Sequence, residues 1–221
     1  MKNTNVTLPQ YCIWDFNGTI LDDVETGIRS VNVLLAQRGL RTLAGKEEYR
    51  KVFCFPIRRY YERLGFDFDK ESYETIAPLW VEQYLRYVKE APLFEDVKET
   101  LDRFQQAGIR QVVLSATELD MLCGQLRFLG IDGYFDEVLG LDNIHAASKR
   151  SLATEWRERH PDATAIFLGD TDHDCDAADA LGAPCLLVSR GHQSEAYLRG
   201  MGVPVFTSLR ELCRKLFEGS L

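Results

Sequence analysis

The sequence predicts an α/β protein: a doubly wound, mainly parallel sheet with an all-helical domain inserted after its first strand. Three observations predict it. From about Ile109 onward, short apolar runs alternate with helical patterns, the order that builds βαβ units with helices on both faces of one sheet. An earlier apolar run, Cys12–Phe16, stands nearly a hundred residues before the next. A βαβ crossover needs only about thirty, so a further unit interrupts the chain. Finally, two apolar runs deliver acids, Asp15 and Asp170, to the carboxyl edge of the sheet, where α/β folds bind ligands.

The first strand, Cys12–Phe16, lacks polar alternation, as a strand covered on both faces should. Gly18 allows the tight turn behind its acid. From about Asp23 to Ala91 the pattern is helical, with Ile28, Val31, Leu34 and Leu35 on one apolar stripe and Phe53, Ile57, Tyr60, Tyr61 and Leu64 on another. Pro78 is expected to kink or divide the segment Lys70–Lys89. The core resumes with helix Val97–Gln106, strand Gln111–Leu114, helix Leu119–Leu129, strand Phe135–Leu139 and helix Lys149–Arg159. Strand Ala165–Leu168, helix Cys175–Ala180, strand Cys185–Val188, helix Glu195–Arg199, strand Val203–Phe206 and helix Leu209–Phe217 complete it. The chain thus divides into a Rossmann-like core, residues 1–22 and 92–221, and a helical cap, residues 23–91, with hinges near Leu21–Asp23 and Ala91–Phe94.

Composition sets outer bounds. With 221 residues and 45% hydrophobic content there is material for a large core and a small inserted domain. A formal charge of −8 argues against nucleic acid or an anionic membrane as the main partner. The six cysteines are scattered with no C-x-x-C pair, which excludes a zinc knuckle or disulfide framework and points to a reducing, cytoplasmic setting. The first ten residues are polar and no 18-residue apolar stretch occurs, so neither a secretory signal nor a membrane span is expected. Oligomeric state leaves no mark on the sequence.

The chemistry concentrates in two acidic tips. Asp170 and Asp174 are four residues apart with Gly169 before them, which places the first at a strand end and the second in the first turn of a helix. Carboxylates gathered there with Asp15 would repel by about 4 kcal/mol per close pair. A divalent cation removes that cost, and oxygen-only ligands favour magnesium. Acids that merely stabilise a helix N-terminus are the competing account, and metal binding is preferred to it. A calcium EF-hand loop fails, because Cys175 and Leu181 occupy its glycine and glutamate positions.

The stretches WDFNGTILDD, VVLSAT, the lysine of HAASKRS and FLGDTDHDCDAADALG resemble, in order, the four motifs of the haloacid dehalogenase superfamily. The nearest likeness is to its phosphoglycolate-phosphatase-like members with a helical cap. The resemblance implies a magnesium-dependent hydrolase of small phosphorylated metabolites. It makes Asp15 the nucleophile that becomes an aspartyl-phosphate. It implies that Ser115, with the N–H of Ala116, binds the phosphoryl group, and that Lys149 neutralises it. It gives Asp15, the backbone carbonyl of Asn17 and Asp170 as metal ligands, with Asp174 in support. A serine capping its own turn, and Arg150 in place of Lys149, are the competing accounts.

One position departs from the pattern. Most phosphatases of the superfamily carry an acid/base aspartate where this chain has Asn17, and a carboxamide cannot exchange a proton at neutral pH. The chain is then a slow phosphatase or one with good leaving groups, for which Asn17→Asp should accelerate turnover. It could instead resemble phosphonoacetaldehyde hydrolase, with Lys51 or Lys46 forming a Schiff base, or bind phosphate without catalysis. His173 is expected to face solvent, His192 to lie in a loop closed by an N-cap at Ser194, and Arg58, Arg59 and Arg63 to solvate the outer face of a cap helix.

Overall fold

The computed structural model describes residues 8–141 and 148–219. Six strands, β1 (Tyr11–Trp14), β2 (Arg110–Glu118), β3 (Glu137–Leu141), β4 (Ala165–Gly169), β5 (Cys185–Val188) and β6 (Val205–Phe206), form one sheet. All pairings are parallel and the order is β3-β2-β1-β4-β5-β6. Helices α1 (Val24–Gln37), α2 (Lys46–Val52), α3 (Ile57–Arg63) and α4 (Tyr73–Tyr87) follow β1, and α5 (Val97–Gln106) leads into β2. Helices α6 (Leu119–Leu129), α7 (Lys149–Arg159), α8 (Asp172–Leu181) and α9 (Glu195–Arg199) join successive strands, and α10 (Leu209–Glu218) follows the last.

Strand β1 shows why the pattern is continuous rather than alternating. Cys12 and Trp14 pack with Val97, Leu101 and Phe104 of α5, Leu122 and Leu126 of α6, and Leu209 and Leu212 of α10. Tyr11 and Ile13 pack on the other face with Ala153 and Trp156 of α7, Ala177 and Leu181 of α8, and Leu198 of α9. Period-two side chains therefore all meet protein, and each large one withdrawn from water contributes about 1.5–3 kcal/mol. From β1 the chain winds outward through β2 and β3, then returns to β4 on the other side. Right-handed crossovers force the helices of the two halves onto opposite faces and open a crevice between β1 and β4. Register sets Trp14 beside Leu168, so Asp15 and Asp170 emerge at neighbouring tips.

The helices of the insertion bury a separate cluster. Val24, Ile28, Val31, Leu34 and Leu35 of α1 meet Tyr49, Tyr60, Tyr61, Phe66 and Ile76. The two crossings of the chain run side by side: Leu21 bridges Leu93, the Asp22 N–H donates to Pro92 O at 2.9 Å, and the Phe94 N–H donates to Ile20 O at 3.1 Å.

Several boundaries differ from the sequence reading. Strand β2 continues past Leu114 with a register shift against β3 before Glu118. Strand β3 starts two residues late, because Phe135 still closes the turn Asp132–Tyr134, its N–H donating to Asp132 O. Helix α8 begins at Asp172, since Thr171 and Asp174 form a reciprocal capping box. Pro78 does not divide α4; burial of Ile76, Gln83 and Tyr84 along the helix outweighs one missing N–H. Phe53 lies outside both flanking helices, and its ring stacks on Tyr49 instead. Among the described residues no helix is long and apolar enough to cross a membrane.

Candidate active site

The three acids meet. Carboxylate oxygens of Asp15, Asp170 and Asp174 lie within 4.8 Å of one another, and all three residues are buried. Each is fixed by its own donors. Thr19 Oγ1 donates toward Asp15 at 3.2 Å and reaches Asp170 at 3.4 Å. Asp174 Oδ2 accepts from the N–H groups of Asp170 and Thr171 and from Thr171 Oγ1, each at 2.9 Å. The ammonium of Lys149, the first residue of α7, donates to Asp15 Oδ1 and, at 2.7 Å, to Asp174 Oδ1. Arg150, the competing cation, is exposed and donates to Asp176 O.

Backbone closes around Asp170. The His192 N–H donates to its Oδ2 at 2.5 Å. A Cβ on Gly18, whose φ is +78°, would come within 2.4 Å of that oxygen, and one on Gly191 within 2.0 Å. Only glycine leaves the carboxylate room at both places.

Three buried acids share one ammonium, so negative charge is in excess. Burial first, then the charges of Asp174 and Asp170, holds the Asp15 carboxyl well above the ordinary range, against the pull of Lys149. Burial alone would lower the Lys149 ammonium, yet Asp15 and Asp174 hold it above its usual value. Both directions express the same imbalance: the ammonium keeps its proton and Asp15 still lacks enough positive charge. A divalent cation would supply it, and three hard carboxylates are the donor chemistry that suits magnesium.

Asn17 does not join the acid cluster through its side chain. Its Nδ2 donates to Asp23 Oδ2 at 2.9 Å and to Tyr84 OH at 2.8 Å, while its Oδ1 accepts from Thr117 Oγ1 at 2.9 Å. Ser115 is buried in β2, just past the end of its regular pairing with β3 at Leu114, and its hydroxyl exchanges bonds with Thr117. Ala116 beside it is exposed. Thus Lys149 reaches Asp15 and Asp174 directly, whereas Ser115 is linked through Thr117 to Asn17 and, beyond it, to Asp23.

His192 lies in the loop that Ser194 closes as N-cap, as expected, and His173 does not face solvent. His192 is inside: its Nε2 lies 3.2 Å from Asp23 Oδ1, its Nδ1 2.8 Å from Tyr49 OH, and its ring packs against Phe53. Burial would lower its pKa, but Asp23 and Asp170 raise it to about 9. His173 is half-buried, its ring stacked on Phe55 at 3.6 Å between centroids, and burial lowers its pKa. Arg58, Arg59 and Arg63 are exposed, as expected. Sequence reasoning missed Thr19, Asp23, Tyr84 and Thr117. Thr19 and Asp23 stand inside the first motif, where their hydroxyl and carboxylate could have been weighed. Tyr84 arrives from 67 residues away with no signal.

Comparison with known proteins agrees with this architecture. The family model for haloacid dehalogenase-like hydrolases matches residues 12–188. A phosphoglycolate phosphatase of Caulobacter vibrioides is 27% identical over 190 residues, covering 82% of this chain and 80% of its own. Among solved structures, a haloacid dehalogenase-like family hydrolase from Streptococcus pneumoniae superposes with a TM-score of 0.76 at 19% identity, covering 93% of this chain and 98% of its own. Protein tyrosine kinase A of Mycobacterium tuberculosis superposes with a TM-score of 0.79 at 22% identity, covering 95% and 98%. At these identities the two structures speak for the fold alone.

Proposed function

The chain is a member of the haloacid dehalogenase-like hydrolase family, and on that premise we propose that it is a magnesium-dependent phosphatase of small phosphorylated metabolites. The observation that carries this reading is the convergence of Asp15, Asp170 and Asp174 within 4.8 Å at the crevice between β1 and β4, bridged by Lys149. The phosphoglycolate phosphatase similarity supports a phosphomonoester as substrate. A reducing cytoplasmic setting fits the free cysteines.

In this reading the Asp15 carboxylate attacks phosphorus, the ester oxygen departs, and water then hydrolyses the aspartyl-phosphate. Lys149 orients Asp15 and neutralises the phosphoryl oxygens. Ser115 turns its hydroxyl from Thr117 toward the phosphoryl group, beside the N–H of Ala116. Asp15, Asp170 and the backbone carbonyl of Asn17 would hold magnesium, with Asp174 in support, and the ion would offset charge on the transferring group. Asn17 aligns the ester oxygen but moves no proton, so turnover falls off as the leaving group becomes a poorer one. The helical insertion, residues 23–91, acts as a cap: Tyr49 and Arg50 of α2 already bond His192 and Gly191 O, which favours a closed site that excludes water.

The test is a panel of phosphomonoesters, phosphoglycolate included, with magnesium or a chelator, on wild type and Asp15→Asn. Turnover should require the metal and fall by roughly 10³-fold or more in the variant. Equal activity of both proteins would remove the covalent mechanism. The phosphonoacetaldehyde reading is disfavoured, because Lys51 is exposed and Lys46 is held by Asp22 at 3.1 Å.

A further inference from the structure

The six cysteines play no part in the proposed chemistry, and all are free. Two of them are nevertheless paired in space. Cys175 Sγ lies 3.3 Å from Cys185 Sγ, a contact no other two cysteines make among the described residues. Cys175 sits in the first half of α8 and is half-buried, whereas Cys185 is buried at the start of β5. Helix and strand are joined by the three-residue link Gly182–Pro184, so the two sulfurs belong to one short hairpin-like unit. A disulfide bond is about 2.05 Å long, so closing the gap takes a shift of roughly 1.3 Å.

From this geometry we propose that Cys175 and Cys185 are a modification site, a dithiol that hydrogen peroxide converts into an intrachain disulfide. The Cys175 sulfur attacks one peroxide oxygen and the O–O bond breaks. Its thiol proton leaves with the departing hydroxide as water, and a sulfenic acid remains. The Cys185 sulfur then attacks that sulfenic sulfur, and the S–O bond breaks as S–S forms. The Cys185 proton leaves with the expelled hydroxide as a second water. Across both steps two thiols lose two electrons and one peroxide gains them. The half-buried position of Cys175 admits the small oxidant, and the contact with Cys185 makes capture of the sulfenic acid intramolecular. The bridge would tie the helix that carries Asp174 to the strand leading into the loop that holds Asp170. The proposal does not depend on the phosphatase reading.

Both cysteines fall between Arg159 and Arg190 with no lysine or arginine between them, so trypsin leaves them on one peptide. After hydrogen peroxide treatment and alkylation, that peptide should be lighter by two hydrogens and carry no alkyl group; dithiothreitol should restore two alkylatable thiols. A protease cutting before Asp176 or Asp179 should then yield two fragments held together until reduction. Cys175→Ser should abolish the mass loss, and Cys185→Ala provides the same check from the other side. Overoxidation of Cys175 to sulfinic acid while Cys185 stays alkylatable would overturn the proposal. So would bridging of either residue to another cysteine, or persistence of both free thiols in peroxide.

Discussion

Asn17 is intelligible from its neighbours. Its carboxamide donates to Asp23 and accepts from Thr117, a pairing an aspartate at this position could not make. Two carboxylates at that separation would repel by about 4 kcal/mol or more unless one held a proton. The simple expectation that Asn17→Asp accelerates turnover is therefore revised. Alone it should lower the thermal midpoint without speeding hydrolysis. Combined with Asp23→Asn, which restores a donor opposite the new acid, the repulsion should disappear and turnover should rise by about 10²–10⁴-fold, the usual value of general acid catalysis. Steady-state rates of the two variants decide it, and a single variant faster than the double would refute the account. His192 adds a pH signature. Its pKa is raised to about 9 from an ordinary 6.5, so its stabilisation is complete below about 6.5 and is lost as pH climbs through about 9. Asp23 is lowered from 3.8, against burial, chiefly by His192, so its contribution is present above that value and lost in acid. The difference in thermal midpoint between wild type and His192→Gln should thus be greatest from about pH 4 to 6.5 and shrink toward pH 9 and beyond. A difference that grows with pH would contradict the pairing.

At the scale of elements, the loop after β5 matters as much as the strands that bear the acids. It supplies the His192 N–H to Asp170 and packs Gly191 against both Asp170 and the Gly18 carbonyl, which a Cβ at residue 191 would approach to 2.6 Å. Gly191→Ala needs no unusual φ, so its effect isolates crowding. The methyl would displace a carboxylate that is itself hydrogen-bonded, at a cost of about 1–3 kcal/mol, and magnesium affinity should fall with it. Calorimetric melting with and without magnesium checks both parts; an unchanged metal-induced shift would show that Asp170 tolerates the displacement. This loop's role at the site was nearly invisible in the sequence. Strands and crossover helices were legible because continuous apolar runs alternating with helical stripes admit few other folds, and the acids were legible because they end those runs. The loop and N-cap around His192 were legible, but its contacts were not, because they depend on Phe53 and Tyr49 from the insertion. Pro78 and Phe53 misled for the converse reason: local propensity suggested breaks and stripes that packing over α1 and the site overrode.

Across the whole molecule, insertion and core meet through two sets of contacts: Asp23 and Tyr84 between them bond Asn17, Gly18 and His192, and α2 with the residues after it reaches the loop after β5 and α8. Arg50 of α2 donates to the carbonyls of Arg190 and Gly191, Tyr49 bonds His192, and Phe55 stacks on His173. The two chain crossings at Leu21 and Leu93 are the covalent connection. With Asp15, Asp170 and Asp174 at 3%, 0% and 0% exposure, hydrolysis as proposed requires these contacts to release before a substrate arrives. Hydrogen bonds from a charged donor contribute about 1.5–3 kcal/mol, so Arg50→Ala should raise the opening constant by roughly 10–100-fold. The consequence is local: amide exchange at Gly18 and His192, whose N–H groups bond Asp23 and Asp170, should quicken by that factor. Amides of Ile13 and Val113, buried in the sheet, should keep their protection, because they are freed only by global unfolding. Uniform acceleration at all four would mean that Arg50 stabilises the fold as a unit. The selective pattern would make α2 a latch, with the strength of a few hydrogen bonds setting how often the acids are reached.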